Sequence, residues 1–376
     1  MPGHDLPGSA LSHVSYSLGA RLLHHLALAS PALAEASFDL DQALGAGERG
    51  DATAGRHVFV AGLARAGTTV VMRRLFHSGA FRSLTYRDMP FVLAPNLWGR
   101  LERFGAKAMA AVQRAHGDGL LVDFDSPEAL EEVFWRVVCG DDYLLPDRLV
   151  PMTAGPEAQD RFRRYVAALL QKHPGKRYLS KNNNNLLRLP SLVAAFPQSS
   201  VIIPFRAPLA QAVSLWQQHR RFSSSEHDSG FTRRYMGWLA HHEFGPGHGR
   251  FVLAGAKPEG NPAHELDYSL QGWVAPYQHL LGQAPARALF VAYERLGQET
   301  ERTWPRLCAA IDLPPTDPGE ALRPPRPTET AEVQSSLRDR AQSLHSELLT
   351  RALCPSARHP PLPPRPLLCG RCFAPE

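Results

Sequence analysis

Val58-Phe-Val-Ala-Gly-Leu-Ala-Arg-Ala-Gly-Thr-Thr69 is the stretch whose reading decides the fold. Taken with the preceding residue, His57–Ala61 is a short β-branched and aromatic run that reads as a strand. The chain then passes through Gly62 and Gly67 into Thr69–Phe76, which has helical character. Strand, glycine loop and helix in that order aim successive backbone N–H groups and a helix N-terminus at one point, which is an anion site. A Walker A loop continues from its last glycine with Lys and then Ser or Thr. Here Thr68 stands where that lysine belongs, Thr69 keeps the hydroxyl, and Arg65 lies inside the loop. Two glycines alone can simply permit a tight turn. The flanking strand, the internal arginine and the two threonines favour a phosphate loop, and the missing lysine argues against hydrolysis of a nucleoside triphosphate.

The same alternation recurs downstream. Ser200–Phe205 reads as a buried strand followed by a helix from Leu209 to His219, and Arg287–Tyr293 as a third strand followed by a helix over Glu299–Ile311. Between them Pro127–Val138 and Ala158–Lys172 read as helices. Strands alternating with helices predict an α/β, P-loop-like three-layer fold with a central parallel sheet flanked by helices. Residues 1–55 read as a lead-in and linker, helical over 11–45 with Leu18, Leu22, Leu26 and Ala29 at helical spacing. The main domain is expected over 56–320, and 321–376 as a helix plus a Pro-rich tail.

At 376 residues with 44% hydrophobic content the chain can bury a normal core. Its net charge of +5 is carried mostly by arginine, since Lys occurs only at 107, 172, 176, 181 and 257. So small and dispersed an excess suits an anionic small ligand, and the lack of a stripe of interleaved aromatic and basic residues argues against nucleic acid. Five cysteines, Cys139, Cys308, Cys354, Cys369 and Cys372, are too few and too scattered for a disulfide framework. Cys369 and Cys372 have zinc-knuckle spacing without a second pair, so no metal site is expected. No apolar run is long enough to span a bilayer, and Arg21, His24 and His25 interrupt the one stretch similar to a signal peptide. A cytoplasmic protein is expected.

With Arg65-Ala-Gly-Thr-Thr69 in place, the sequence resembles the sulfotransferases that use 3′-phosphoadenosine 5′-phosphosulfate (PAPS), whose 5′-phosphosulfate loop runs Lys or Arg, Ser, Gly, Thr, Thr. Ala66 replaces the serine, removing one hydroxyl while leaving the backbone cradle. Arg206-Ala-Pro-Leu-Ala-Gln-Ala-Val-Ser214, at the end of the second strand, is similar to the family's 3′-phosphate motif, with Ala207 where Asp is common. A guanidinium suits that task because its planar fork matches phosphate oxygens. Lys181, followed by Asn182–Asn185, matches the lysine that contacts the transferring group, and Tyr293-Glu294-Arg295-Leu296 is similar to a "Tyr-Glu-Asp-Leu" stretch taken as a mark of the fold. The resemblance implies nucleotide binding through Arg65, Ala66, Gly67, Thr68, Thr69, Arg206 and Ser214. It also implies PAPS as co-substrate without a metal, and a hydroxyl acceptor on a glycan or glycolipid.

Sulfuryl transfer needs an in-line nucleophile, a base and cations for developing charge. Lys181 and Arg65 are the expected cations. Asp88, about one helix beyond the loop, and His116, in a Gly-flanked loop, are the expected bases. Glu128, Glu131 and Glu132 form a second carboxylate segment, with Ser126 as N-cap and Glu128 in the first helical turn. Trp135, Trp216, Trp238 and Trp273 are candidates for a sugar-stacking cleft, although core packing explains most such residues. Two other readings stay open, a P-loop kinase and a nucleotide-binding protein without activity.

Overall fold

The structure, a computed structural model, describes residues 18–45, 52–102, 112–113, 121–122, 127–224, 230–253, 258–262, 264–285, 287–319 and 332–353. Its frame is five parallel strands, β1 (Val58–Val60), β2 (Phe81–Arg82), β3 (Arg177–Lys181), β4 (Ser200–Phe205) and β5 (Ala288–Ala292). They lie side by side in the order β5-β4-β1-β3-β2. Thirteen helices surround them among the described residues. The first four are α1 (Leu18–Ala29), α2 (Pro31–Leu44), α3 (Thr68–His77) and α4 (Pro95–Glu102). Then come α5 (Glu132–Tyr143), α6 (Pro156–Leu170), α7 (Leu189–Ala195), α8 (Pro208–Ser224) and α9 (Gly230–Trp238). The last are α10 (Leu266–Gln283), α11 (Tyr293–Gln298), α12 (Thr300–Ala310) and α13 (Ser335–Arg351).

Side chains alternate across a strand, so a sheet covered on both faces reads as an unbroken apolar run. Val58, Val60, Leu179 and Ile202 face one way and pack with Val71, Met72 and Leu75 of α3 and Trp304 and Leu307 of α12. Phe59, Tyr178, Val201 and Ile203 face the other, against Phe162 and Val166 of α6, Trp273 and Tyr277 of α10 and Leu348 of α13. The expected three layers are therefore present. Two of the elements that escaped the sequence reading bear on the site. β3 is central although it carries Arg177, Ser180 and Lys181, and α10 runs through Pro276.

The lead-in forms two helices, but with a different face buried from the one the leucine spacing indicated. Leu22 and Leu26 are exposed, while Ala27 and Leu28 enter the core. Ser30 accepts the Leu33 N–H and Pro31 occupies the first turn, so α2 starts on standard cap chemistry. It is fastened to α4 through Asp41, which accepts the Leu97 N–H at 2.7 Å. Cys139 and Cys308 are buried free thiols; Cys354, Cys369 and Cys372 lie outside the described residues. No helix among the described residues is long and apolar enough to cross a membrane.

His57 locks the start of β1 in one tautomer. Its Nδ1 accepts the Tyr178 N–H at 2.9 Å and its Nε2 donates to the Ala52 carbonyl at 2.8 Å. Burial lowers its pKa to about 4, so the ring is neutral. The folded chain thus binds this proton less readily than the unfolded one. Its contribution is complete above about pH 6.5 and falls away as pH drops toward 4, by about 3 kcal/mol in full. Urea midpoints taken at pH 7 and pH 5 should show lower stability at pH 5, and His57→Gln should flatten that difference.

Candidate functional site

The site forms where β1, β3 and β4 end together. Ala61 N–H continues the ladder to the Ile202 carbonyl and Asn182 N–H to the Val60 carbonyl, so the loop after β1, Lys181 after β3 and Arg206 after β4 emerge on one edge. This is the crevice at the carboxyl ends of parallel strands where open α/β sheets bind ligands. In the loop Arg65 takes a left-handed φ of 67° and Gly67 one of 90° before α3 begins at Thr68. A left-handed arginine costs roughly 1–2 kcal/mol, so something must hold it there. That support comes from α8, whose Ser214 hydroxyl accepts the Arg65 Nε–H at 2.9 Å. One turn earlier the buried Gln211 donates its Nε2–H to the Ala64 carbonyl at 3.0 Å, and its Oε1 accepts the Trp273 indole N–H at 3.1 Å.

Gly67 is required for a second reason. A Cβ there would lie 2.5 Å from the Tyr293 ring, which covers the loop from the end of β5. Arg206 stacks on the same ring with its guanidinium carbon 5.4 Å from the centroid, and it faces Glu294 at 4.0 Å. Glu294 also accepts the Ala207 N–H at 3.0 Å. Tyr293 and Glu294, taken from sequence only as a fold mark, therefore tie β5 to both phosphate motifs. Thr68 is buried, Thr69 is half-buried and Ala66 is wholly buried.

Lys181 is nearly buried at the end of β3. The asparagines after it are occupied by protein partners. Asn182 donates to Glu132 and accepts the Asn184 N–H, while Asn183 donates to Glu243 at 2.7 Å. Glu132 also accepts from Tyr143 and from Arg188, whose guanidinium lies over the Trp135 ring at 4.9 Å. Its neighbour Glu131 accepts from Trp135 at 2.9 Å and Tyr178 at 2.7 Å, and burial raises its pKa. These two carboxylates brace β3 and the turn after it.

The expected bases fare differently. Asp88 has both oxygens engaged, one by Arg82 and the other by the Thr85 N–H and hydroxyl, in a capping box around a single helical turn. A carboxylate so occupied holds the Tyr86–Asp88 turn to β2. His116 and Ser126 lie outside the described residues. Glu128 precedes α5, which begins at Glu132, and accepts the Tyr86 hydroxyl at 3.0 Å. None of the four tryptophans lines the cleft; Trp135 and Trp273 are core residues, Trp216 lies under Arg220 and Trp238 meets His25.

The carboxylate that does face the cleft is Glu243. It lines an opening of about 710 Å³, open solvent included, together with Leu63 and Ala64 of the loop. Burial pushes its pKa up, but His241, Lys181 and Asn183 overcome this and hold it below the usual carboxylate range. The sequence carried a signal for it, because His241-His-Glu-Phe-Gly-Pro-Gly-His248 packs three histidines and an acid into eight residues. Gln211 had no such signal, since only the tertiary fold brings it to Ala64.

A parallel sheet flanked by helices, with the loop after β1 joined to the segment after β4 at its carboxyl edge, is an α/β fold with a crevice of the ligand-binding kind. The sequence profile described as the Sulfotransferase family matches residues 57–252, more than half of the chain, and the chain belongs to that family. Similar solved structures include sulfotransferase STF1 from Mycobacterium tuberculosis H37Rv, at 15% identity over 77% of this chain and 75% of that one, with a TM-score of 0.41. Sulfotransferase STF9 from Mycobacterium avium is 16% identical over 84% and 72%, with a TM-score of 0.41. A sulfotransferase from Alicyclobacillus acidocaldarius is 13% identical over 78% and 93%, with a TM-score of 0.38. No curated protein matches the chain.

Two substitutions test the supports. Glu132→Ala strands Arg188 as an uncompensated buried charge and should cost about 3–5 kcal/mol in denaturant unfolding. Gly67→Ala must move the Tyr293 ring and strain the loop; it should lower the affinity for adenosine 3′,5′-diphosphate at least about tenfold in calorimetric titration, with an unfolding loss of roughly 1–3 kcal/mol.

Proposed function

We propose that this protein transfers the sulfuryl group of PAPS to an acceptor hydroxyl. The observation that carries the reading is the Arg65–Ser214 hydrogen bond, which joins the loop expected at the 5′-phosphosulfate to the motif expected at the 3′-phosphate. One further feature fits this nucleotide. The Arg206 Nε is buried at a strand end without a hydrogen-bond partner, where a guanidinium suits a phosphate. The loop N–H groups, Arg65, Thr68 and Thr69 would hold the 5′ side, and Arg206 with Ser214 the 3′-phosphate. PAPS supplies an activated sulfuryl group.

In the transfer, the acceptor oxygen forms a bond to sulfur while the sulfur–oxygen bond to the 5′-phosphate breaks. The hydroxyl proton passes to a base, and adenosine 3′,5′-diphosphate leaves. Lys181 supplies positive charge beside the loop, where charge accumulates on the bridging oxygen. We assign the base role to Glu243 in place of Asp88, because Glu243 faces the cleft beside Ala64. The resemblance implies a glycan or glycolipid as the acceptor's source.

Thermal stabilisation separates this reading from its alternatives. Adenosine 3′,5′-diphosphate without metal should stabilise the chain more than ADP with Mg²⁺, and indifference to the 3′-phosphate would sink the reading. Arg206→Ala should abolish that preference. Glu243→Gln should lower kcat by about 10²–10⁴-fold with nucleotide affinity intact, the usual effect of losing a general base.

A further inference from the structure

The cleft beyond the loop is a built space whose chemistry differs from that of a sugar site. It is lined by Leu215 and His219 of α8, by Tyr268, Gly272 and Pro276 of α10, and by Phe244 and Phe251 of the intervening segment.

The polar side chains that border it are largely committed to one another. The His248 Nε2 and the Tyr268 hydroxyl share a hydrogen bond of 2.7 Å, and His248 Nδ1 lies 3.1 Å from the His242 carbonyl. His242 Nδ1 is 2.9 Å from the Gly247 carbonyl, and Glu243 accepts from Asn183. Arg250 lies over the Tyr268 ring at 5.7 Å. Burial lowers the pKa of both His219 and His248, and His248 lowers that of His219 further, which favours the neutral form of each ring. A glycan brings several hydroxyls per ring, each of which needs a partner when it leaves water. The cleft offers few. His219 Nδ1 and His242 Nε2 are buried without a partner, and Pro276 has no N–H to give the Gly272 carbonyl. That suits a body that is mostly apolar and carries few hydroxyls, whose burial supplies the binding.

We infer that the acceptor is an apolar alcohol in place of the glycan or glycolipid that the resemblance implies, its body held between Leu215, Phe244, Phe251 and Pro276 and its reacting hydroxyl directed toward Ala64. The inference rests on the sulfuryl-transfer reading for what happens to that hydroxyl, but not for the binding itself.

Gly272 gives a clean test, because a Cβ there meets nothing within 4 Å and a leucine side chain would grow into the cleft from a helix that tolerates it well. With the full chain, 1-decanol and maltotriose are titrated by calorimetry in the absence of nucleotide. The wild type should bind 1-decanol and not maltotriose. Gly272→Leu and Leu215→Asn should each weaken 1-decanol binding by at least about tenfold, as expected when the ligand's space is filled or its wall made polar. Both variants should retain the wild-type affinity for adenosine 3′,5′-diphosphate, which also reports that they fold. The inference is overturned by wild-type protein that binds maltotriose in preference to 1-decanol or ignores 1-decanol, and equally by 1-decanol affinity unchanged in both variants. Loss of the 3′-phosphate preference with 1-decanol binding intact would instead defeat the nucleotide assignment.

Discussion

Gln211 and Ser214, one turn apart on α8, grip Ala64 and Arg65 of the phosphate loop. The remainder of the site depends on that grip. Without it the left-handed Arg65 has no opposing support from α8, and the loop's N–H groups have no reason to converge. Gln211 is itself held by Trp273 of α10, and Tyr277 of the same helix donates to the Pro204 carbonyl of β4 at 2.9 Å. Loop, strand and two helices thus form one closed circuit of hydrogen bonds in a low-dielectric interior, where each bond is costly to leave unmade.

The second support is electrostatic. Glu131 and Glu132 are buried under β3, and the strand that carries Lys181 is pinned by their bonds to Tyr178, Asn182 and Arg188. Such deep burial is tolerated because Glu132 is paired with Arg188 and both carboxylates accept several hydrogen bonds. This explains why Lys181 can end a strand flanked by polar residues and still hold a fixed place at the sheet edge.

Much of this was legible in the sequence because it is local. β1, its loop and α3 follow one another within twenty residues, and Ser200–Phe205 declares itself by unbroken hydrophobicity. The two phosphate motifs were visible as residue types at fixed spacing, and their meeting at Arg65 and Ser214 follows from β1 lying beside β4. What the sequence hid was non-local. β3 is central because of its neighbours, against its own composition, and α10 persists through Pro276 because its buried face outweighs one missing hydrogen bond. The carboxylates show the same limit: the sequence does not tell that Asp88 caps a local turn, nor that Glu243, far along the chain, reaches the cleft.

Helix α8 runs unbroken from Pro208 to Ser224, with Gln211 at the loop and His219 bordering the cleft. Eight residues at about 1.5 Å each separate these two by about 12 Å along the axis, and a hydrogen-bonded helix neither stretches nor shortens. The helix therefore acts as a ruler laid along the cleft. In the proposed reaction it would set how far an acceptor reaches past the transfer point before it meets the histidine end, which would make molecular length, as well as polarity, a quantity on which the site selects.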